Sequence, residues 1–392
     1  MNTLMSTYAR KDISFTKGEG VWLWDQNGEK YLDALAGIAV CGLGHAHPKV
    51  AKAISEQAQT LLHTSNVYRI TAQELLGDRL CAISNMDRAF FGNSGAEANE
   101  AAIKLARLHG HAKQIDTPTI VVCENSFHGR TMATLTATGN RKAHAGFEPL
   151  VAGFIRAPFN DAETIAQICA SNSNVVAIFV EPIQGEGGIN VPHSNYLNQL
   201  RDICNQHELL LMLDEIQTGN GRTGKWFAYQ HTHILPDVVT TAKGLGNGVP
   251  IGACLAKGQA AELFAPGSHG STFGGNPLAC ATALQVLTTL EEDNLLNHAK
   301  VIGSEIIKGL ESSLNNHTLV RDIRGQGLMI GIELSEPCTE IVDIALSKKL
   351  LLNVTASNVI RILPPLITSS NEASIIVSTI HDCISEFQAT LN

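Results

Sequence analysis

The sequence predicts an α/β protein: a large unit with a mostly parallel sheet sandwiched by helices, followed by a smaller α+β unit. Short apolar runs that end in polar or glycine-rich turns alternate with helical stretches, the pattern of parallel strands joined by crossover helices. The runs themselves, at Thr119–Cys123, 175–181, 209–214, Val238–Thr241 and Gly252–Ala256, are β-branched or apolar nearly throughout, as strands buried on both faces must be. A change after Leu284, to one long helical stretch and then isolated strands, predicts the smaller unit.

From the N-terminus, residues 21–25 and 30–33 flank Asn27-Gly28, a dipeptide that favours a tight two-residue turn, so a β-hairpin outside the main sheet is expected. Residues 96–108 carry small and apolar side chains at helical spacing, and 195–207 repeat the pattern just before the run at Leu209. From Leu284 a long helical stretch is expected to run to about Leu314, with further strands at 325–334 and 359–363. No repeat, low-complexity tract or long linker interrupts the chain, so its units should pack together. The expected division places 41–283 in the large unit and 284–392 in the small one, with 1–40 packed against the small unit.

With 392 residues, 44% of them hydrophobic, the chain can bury a large core. Its formal net charge of −9 argues against a nucleic-acid partner, which calls for a clustered basic face. No apolar run is long enough to span a bilayer, and residues 1–15 lack the apolar stretch of a secretory signal, so a soluble cytoplasmic protein is expected. Nine cysteines, an odd number without a C-x-x-C pair, suggest neither a disulfide framework nor a thiolate metal site. Small-molecule chemistry is the class left.

In an open parallel sheet, ligands bind at the carboxyl ends of the strands, and those ends hold an unusual set of residues. Gly92-Asn93-Ser94-Gly95-Ala96-Glu97 opens a helix with small residues that leave its first N–H groups open to an anion such as phosphate. Taken alone, Asn93 or Ser94 is an ordinary helix cap. After 119–123 come Phe127, whose ring can stack on a flat ligand, and Arg130, whose guanidinium can clamp a carboxylate. Singly, these read as a core aromatic and a surface charge. Asp214 ends the run 209–214, placed to pair with a protonated ring nitrogen or simply to face water. Lys243 follows the run 238–241 and precedes Gly244-Leu245-Gly246-Asn247-Gly248. A lysine desolvated there would be a nucleophile, although most lysines are solvated. What changes the reading is their joint occurrence in one chain, in the order phosphate cradle, ring stacker, acid, lysine.

These stretches belong to a longer series. It includes Gly20-Val21-Trp22-Leu23-Trp24-Asp25, Gly37-Ile38-Ala39-Val40, Leu43-Gly44-His45-Ala46-His47-Pro48 and Glu181-Pro182-Ile183-Gln184-Gly185-Glu186-Gly187-Gly188. Gly221-Arg222-Thr223-Gly224, His269-Gly270-Ser271-Thr272-Phe273-Gly274-Gly275-Asn276-Pro277, Arg324-Gly325-Gln326-Gly327 and Arg361-Ile362-Leu363-Pro364-Pro365 complete it. With this series the chain resembles, over nearly its whole length, the class III (subgroup II) aminotransferases of pyridoxal 5′-phosphate (PLP) fold type I, most closely those of the acetylornithine type.

The resemblance implies PLP as cofactor, with Ser94, Gly95 and Ala96 on its phosphate and Thr272 reaching in from the partner subunit of a homodimer. It implies Phe127 and Ile216 on the two faces of the ring, Asp214 on the ring nitrogen and Gln217 on the phenolic oxygen. Lys243 is implied as the Schiff-base lysine and as general base and acid. On the substrate side it implies Ser271, Arg130 at the carboxylate far from the reacting amine, and Arg361 at the α-carboxylate of glutamate or 2-oxoglutarate. Glu186 would neutralise Arg361 when the donor brings no α-carboxylate beside the reacting carbon. The implied reaction moves the δ-amino group of N2-acetyl-ornithine to 2-oxoglutarate, a step of arginine biosynthesis. Transaminases of succinylornithine or succinyl-diaminopimelate, of ornithine and of 4-aminobutyrate share this residue set, and a PLP-binding dimer without turnover is the reading from another class.

His45-Ala46-His47 lacks a third ligand at suitable spacing, so a turn is expected there and no metal site. Gly244 to Gly248 lack the strand, G-x-G-x-x-G and helix order of a dinucleotide site. Cys41 and Asn220 depart from the family's pattern, Cys41 near the expected substrate entrance.

Overall fold

The computed structural model describes residues 3–391; Met1, Asn2 and Asn392, the outermost residues of the two expected terminal units, lie outside the described residues. Strands β1 (Phe15–Glu19), β2 (Trp22–Asp25) and β3 (Lys30–Asp33) form an antiparallel meander. Between β2 and β3, Asp25 Oδ1 accepts from the N–H groups of Asn27 and Glu29 at 2.8 and 2.9 Å, and Gly28 takes φ 83°. A left-handed backbone there suits glycine, which has no Cβ to clash.

The large sheet contains β4 (Arg88–Gly92), β5 (Thr119–Cys123), β6 (Phe154–Ala157), β7 (Val175–Val180), β8 (Leu210–Asp214), β9 (Val238–Thr241) and β10 (Gly252–Ala256), in the order β4-β10-β9-β8-β7-β5-β6. Pairing is parallel from β6 through β9, whereas β10 runs antiparallel to both β9 and β4. The sequence groups Gly252–Ala256 with the parallel strands, and its direction is the correction. An apolar run buried on both faces looks the same whichever way it runs.

Alternate side chains of these strands enter two separate cores, as the period of two in a strand requires. Ile120, Phe179, Met212 and Val238 pack with Ala101, Ala102 and Leu105 of the helix Gly95–Ala112. Val121, Ile178, Leu211 and Val239 share the other core with Leu197 and Leu200 of the helix Tyr196–His207. All six residues of β7 are buried, each large apolar side chain contributing about 1.5–3 kcal/mol.

The long helical stretch expected from Leu284 is made of two helices, Pro277–Glu292 and Leu295–Ser313. The break falls at Asp293-Asn294, where Asn294 adopts φ 50°, a conformation asparagine tolerates better than most residues. Strands β11 (Val320–Gln326), β12 (Met329–Leu334), β13 (Leu350–Leu351), β14 (Asn353–Thr355) and β15 (Val359–Ile362) follow. Four of them form an antiparallel sheet in the order β11-β12-β15-β14, while β13 pairs in parallel with β3 of the N-terminal meander. Among the described residues no helix is long and apolar enough to cross a membrane.

Candidate active site

The carboxyl ends of β4, β5, β8 and β9 converge with the segment entering the reversed strand β10 on a cavity of about 390 Å³, a size suited to a small ligand. Ser94, Gly95, Ala96, Phe127, Arg130, Asp214, Ile216, Gln217 and Lys243 all line it. Residues far apart in the chain meet here because parallel strands present the same end to one edge of the sheet.

Ser94 is the N-cap of the helix Gly95–Ala112, its hydroxyl accepting from Glu97 N–H at 3.2 Å. Capping leaves room for an anion, since the N–H groups of Gly95 and Ala96, in the helix's first turn, have no intrahelical partner. Gly95 has a steric reason as well: an added Cβ would lie 2.6 Å from Ile216 Cδ1 and 3.0 Å from its Cγ2. Gly95→Ala is therefore expected to displace Ile216 and weaken PLP binding about tenfold, an overpacking effect of the usual size. Equilibrium titration of the apoprotein checks this, and unchanged affinity would show that Ile216 does not border the ligand.

Asp214, 4% exposed at the end of β8, is held from three sides. Oδ2 lies 2.8 Å from His128 Nδ1 and accepts from Asn99 Nδ2 at 2.7 Å, and Oδ1 accepts from Ile216 N–H at 3.1 Å. Thr240 Oγ1 donates to Asn99 Oδ1 at 2.6 Å, which obliges the Asn99 amide nitrogen to face Asp214. His128 stacks on Phe179 with ring centroids 4.3 Å apart, so its imidazole cannot swing away.

Lys243 follows β9 after Ala242 and has φ 42°. A left-handed lysine is strained by about 1 kcal/mol or more and persists where its surroundings hold it, commonly at functional sites. Asn220 supplies part of that hold, donating from Nδ2 to Thr241 Oγ1 at 2.9 Å and to the Ala242 carbonyl at 3.1 Å. Burial lowers the Lys243 amine to about 8; Glu186 opposes this and Arg361 adds to it. About a tenth of this lysine is thus uncharged at pH 7, against well under a thousandth for an ordinary lysine.

Arg361, on β15, is fully buried. Its Nη1 meets Glu186 Oε1 at 2.6 Å and Gln217 Oε1 at 3.3 Å, while Nη2 has no partner among the described residues. Burial would raise the Glu186 carboxyl, yet the charge of Arg361 and its hydrogen bond prevail and hold it below its ordinary value. Arg130 sits over the Phe127 ring at 5.5 Å, its side chain toward solvent. Ser271 lies outside the cavity wall, its hydroxyl accepting from Asn93 Nδ2 at 3.1 Å and from Gly274 N–H at 3.0 Å, and Thr272 is exposed.

Several lining groups carry no role in the sequence reading. Glu181 binds the N–H groups of Phe127 and Gly185 at 3.0 and 3.2 Å; burial, and then Asp214, push its carboxyl up to about 8. His128 and Glu181 stand inside recognised motifs, so the missing information was their contacts. Gly248, Val249, Pro250 and Ile251 reach the cavity only because β10 is reversed, which no local pattern signals. His45 lies 2.8 Å from Asp33 Oδ2, and Asp33, with Cys41, raises its imidazole to about 9.

The donor set fits PLP: open helix N–H groups for a phosphate, an apolar slot between Phe127 and Ile216, a buried carboxylate and a buried amine with a lowered pKa. The family "Aminotransferase class-III" matches residues 6–384. An acetylornithine aminotransferase of Nitrosomonas europaea is 58% identical over 387 residues, 99% of this chain and 98% of that protein. Among solved structures, an ornithine aminotransferase from Toxoplasma gondii superposes with TM-score 0.95 at 33% identity, covering 99% of this chain and 94% of the other. An acetylornithine aminotransferase from Elizabethkingia anophelis gives 0.89 at 34% identity, covering 97% and 96%. With its fold, the lysine and acid at its strand ends and these likenesses over its whole length, the chain belongs to the class-III aminotransferases.

Proposed function

We propose that this aminotransferase moves the δ-amino group of N2-acetyl-ornithine to 2-oxoglutarate, giving N-acetylglutamate 5-semialdehyde and glutamate, with PLP as resident cofactor. The observation that carries the reading is the 2.6 Å pair of Glu186 with buried Arg361, next to the low-pKa Lys243. A buried arginine that can be either neutralised or offered suits an enzyme alternating between a donor without a carboxylate beside its reacting carbon and an acceptor with one.

When bound, PLP supplies an aldehyde that takes up amines and a ring that absorbs the electron pair left at the reacting carbon. Ser94, Gly95 and Ala96 would hold its phosphate, joined by Thr272 of the partner subunit, while Phe127 and Ile216 would flank its ring. Asp214 would pair with the ring nitrogen, and Gln217 would donate to the phenolic oxygen. Lys243 would be the amine to which the group attaches, and its freed amine would hold and move the proton at the reacting carbon of the substrate. Arg130 and Ser271 meet the far end of the donor. Glu186 covers Arg361 during the first half-reaction and yields it to the α-carboxylate of 2-oxoglutarate during the second. We assign the cofactor unit to residues 41–283 and the smaller unit to 284–392 with 1–40. A homodimer completes the site. The nine cysteines, all unpaired, suit a reducing cytoplasm.

Single-turnover decay of the cofactor absorbance with N2-acetyl-ornithine, ornithine, N-succinyl-diaminopimelate and 4-aminobutyrate tests the substrate. The acylated amines are expected to react fastest. Precedence of ornithine or 4-aminobutyrate would leave the fold and chemistry standing and overturn the assignment of the donor.

A further inference from the structure

The Glu186–Arg361 pair is held from behind by a strand that does not line the cavity. β14 is an edge of the C-terminal sheet, in antiparallel register with β15, with Asn353 opposite Arg361 and Thr355 opposite Val359. Asn353 and Thr355 are two residues apart on one strand, so their side chains share a face. Asn353 Oδ1 accepts from Arg361 Nε at 3.0 Å, and the Thr355 hydroxyl donates to the Glu186 carbonyl. One strand face therefore grips the guanidinium of one partner and the backbone of the other.

This grip decides which guanidinium nitrogens are free. With Nε taken by Asn353, Glu186 meets Nη1 alone, through Oε1, and Nη2 stays buried without a partner. A carboxylate and a guanidinium prefer two parallel bonds, and an unsatisfied buried donor is costly. The pair with Glu186 is thus incomplete. An α-carboxylate that replaced Glu186 could engage Nη1 and Nη2 together.

We infer that Asn353 is a positioning residue for the acceptor half of the reaction. Resting on the reading of Arg361 and Glu186 above, it holds Nε so that the Nη1–Nη2 edge stays presented to an incoming α-carboxylate. Its loss should burden the 2-oxo acid and spare the amine donor.

The test uses holoenzyme carrying Asn353→Ala. The expected result is a KM for 2-oxoglutarate raised about tenfold, the effect of one hydrogen bond to a charged group, with the single-turnover rate for the amine donor unchanged. Asn358→Ala, between β14 and β15 and bonded to the Leu334 carbonyl but to neither Glu186 nor Arg361, is expected to leave that KM where it was. Should both variants raise it equally, or should Asn353→Ala slow both half-reactions alike, β14 is only structural support and the inference falls. If the alanine variant does not fold, Asn353→Leu removes the acceptor while keeping the branched shape of the side chain, and the same result is required of it. Arg361→Lys separates the two levels of the argument. A KM for 2-oxoglutarate unmoved by Arg361→Lys overturns the reading of Arg361 itself, whereas a raised KM there with a normal one in Asn353→Ala overturns the role of Asn353 alone.

Discussion

Lys243→Ala is expected to abolish the absorbance of lysine-bound cofactor and to lower turnover about 10⁴-fold or more, since one substitution removes both the proposed covalent anchor and the proposed general base. Two features make the loss hard to replace. Lys243 projects from a strained turn held at the end of β9 by Asn220, and its amine is lowered to about 8 by burial. Capture of PLP by the apoprotein needs the uncharged amine, so its rate should climb with pH through about 8 and level off above. A rate still climbing toward the ordinary lysine range near 10.5 would contradict the burial of this amine, and a lysine-bound spectrum in the alanine variant would show that another lysine is the anchor.

Asp214→Ala is expected to retain the cofactor while turnover falls about 10²–10³-fold, the usual consequence of removing one preorganised electrostatic partner. The phosphate grip through the helix Gly95–Ala112 does not depend on this carboxylate, which is why binding and turnover should separate. Asp214 is buried and accepts from Asn99 and Ile216 N–H, with His128 at 2.8 Å, an arrangement that fixes the carboxylate in one orientation at the end of β8. Steady-state kinetics beside a measurement of bound PLP decide the matter. Normal turnover would mean that the ring nitrogen is served by another group.

The strands of the large sheet were legible because strands buried on both faces are apolar without interruption; β5, β9 and β10 begin and end where composition places them. The residues at their carboxyl ends were legible for the same reason, since the end of a buried run is where a polar side chain first becomes affordable. The break at Asn294 was not, because the helical pattern continues across it and a single left-handed residue leaves no periodic trace. Asn99 and Thr240 were also invisible: each is unremarkable in its own segment, and together they orient Asp214 only because β8, β9 and the helix Gly95–Ala112 are adjacent in space.

By itself, then, the sequence determined the element types, the layered α/β class and the order of the chemical groups along the chain, all consequences of local periodicity and of which residues can follow a buried run. Tertiary structure alone decided the reversal of β10, which carries residues 248–251 into the cavity, and the burial that sets the amine of Lys243 near 8 and the carboxyl of Glu181 also near 8. It alone decided that Asn353, eight residues before Arg361, grips its Nε across two strands. These depend on strand direction, desolvation and register between segments, and those are properties of neighbours in space that no single stretch of chain encodes.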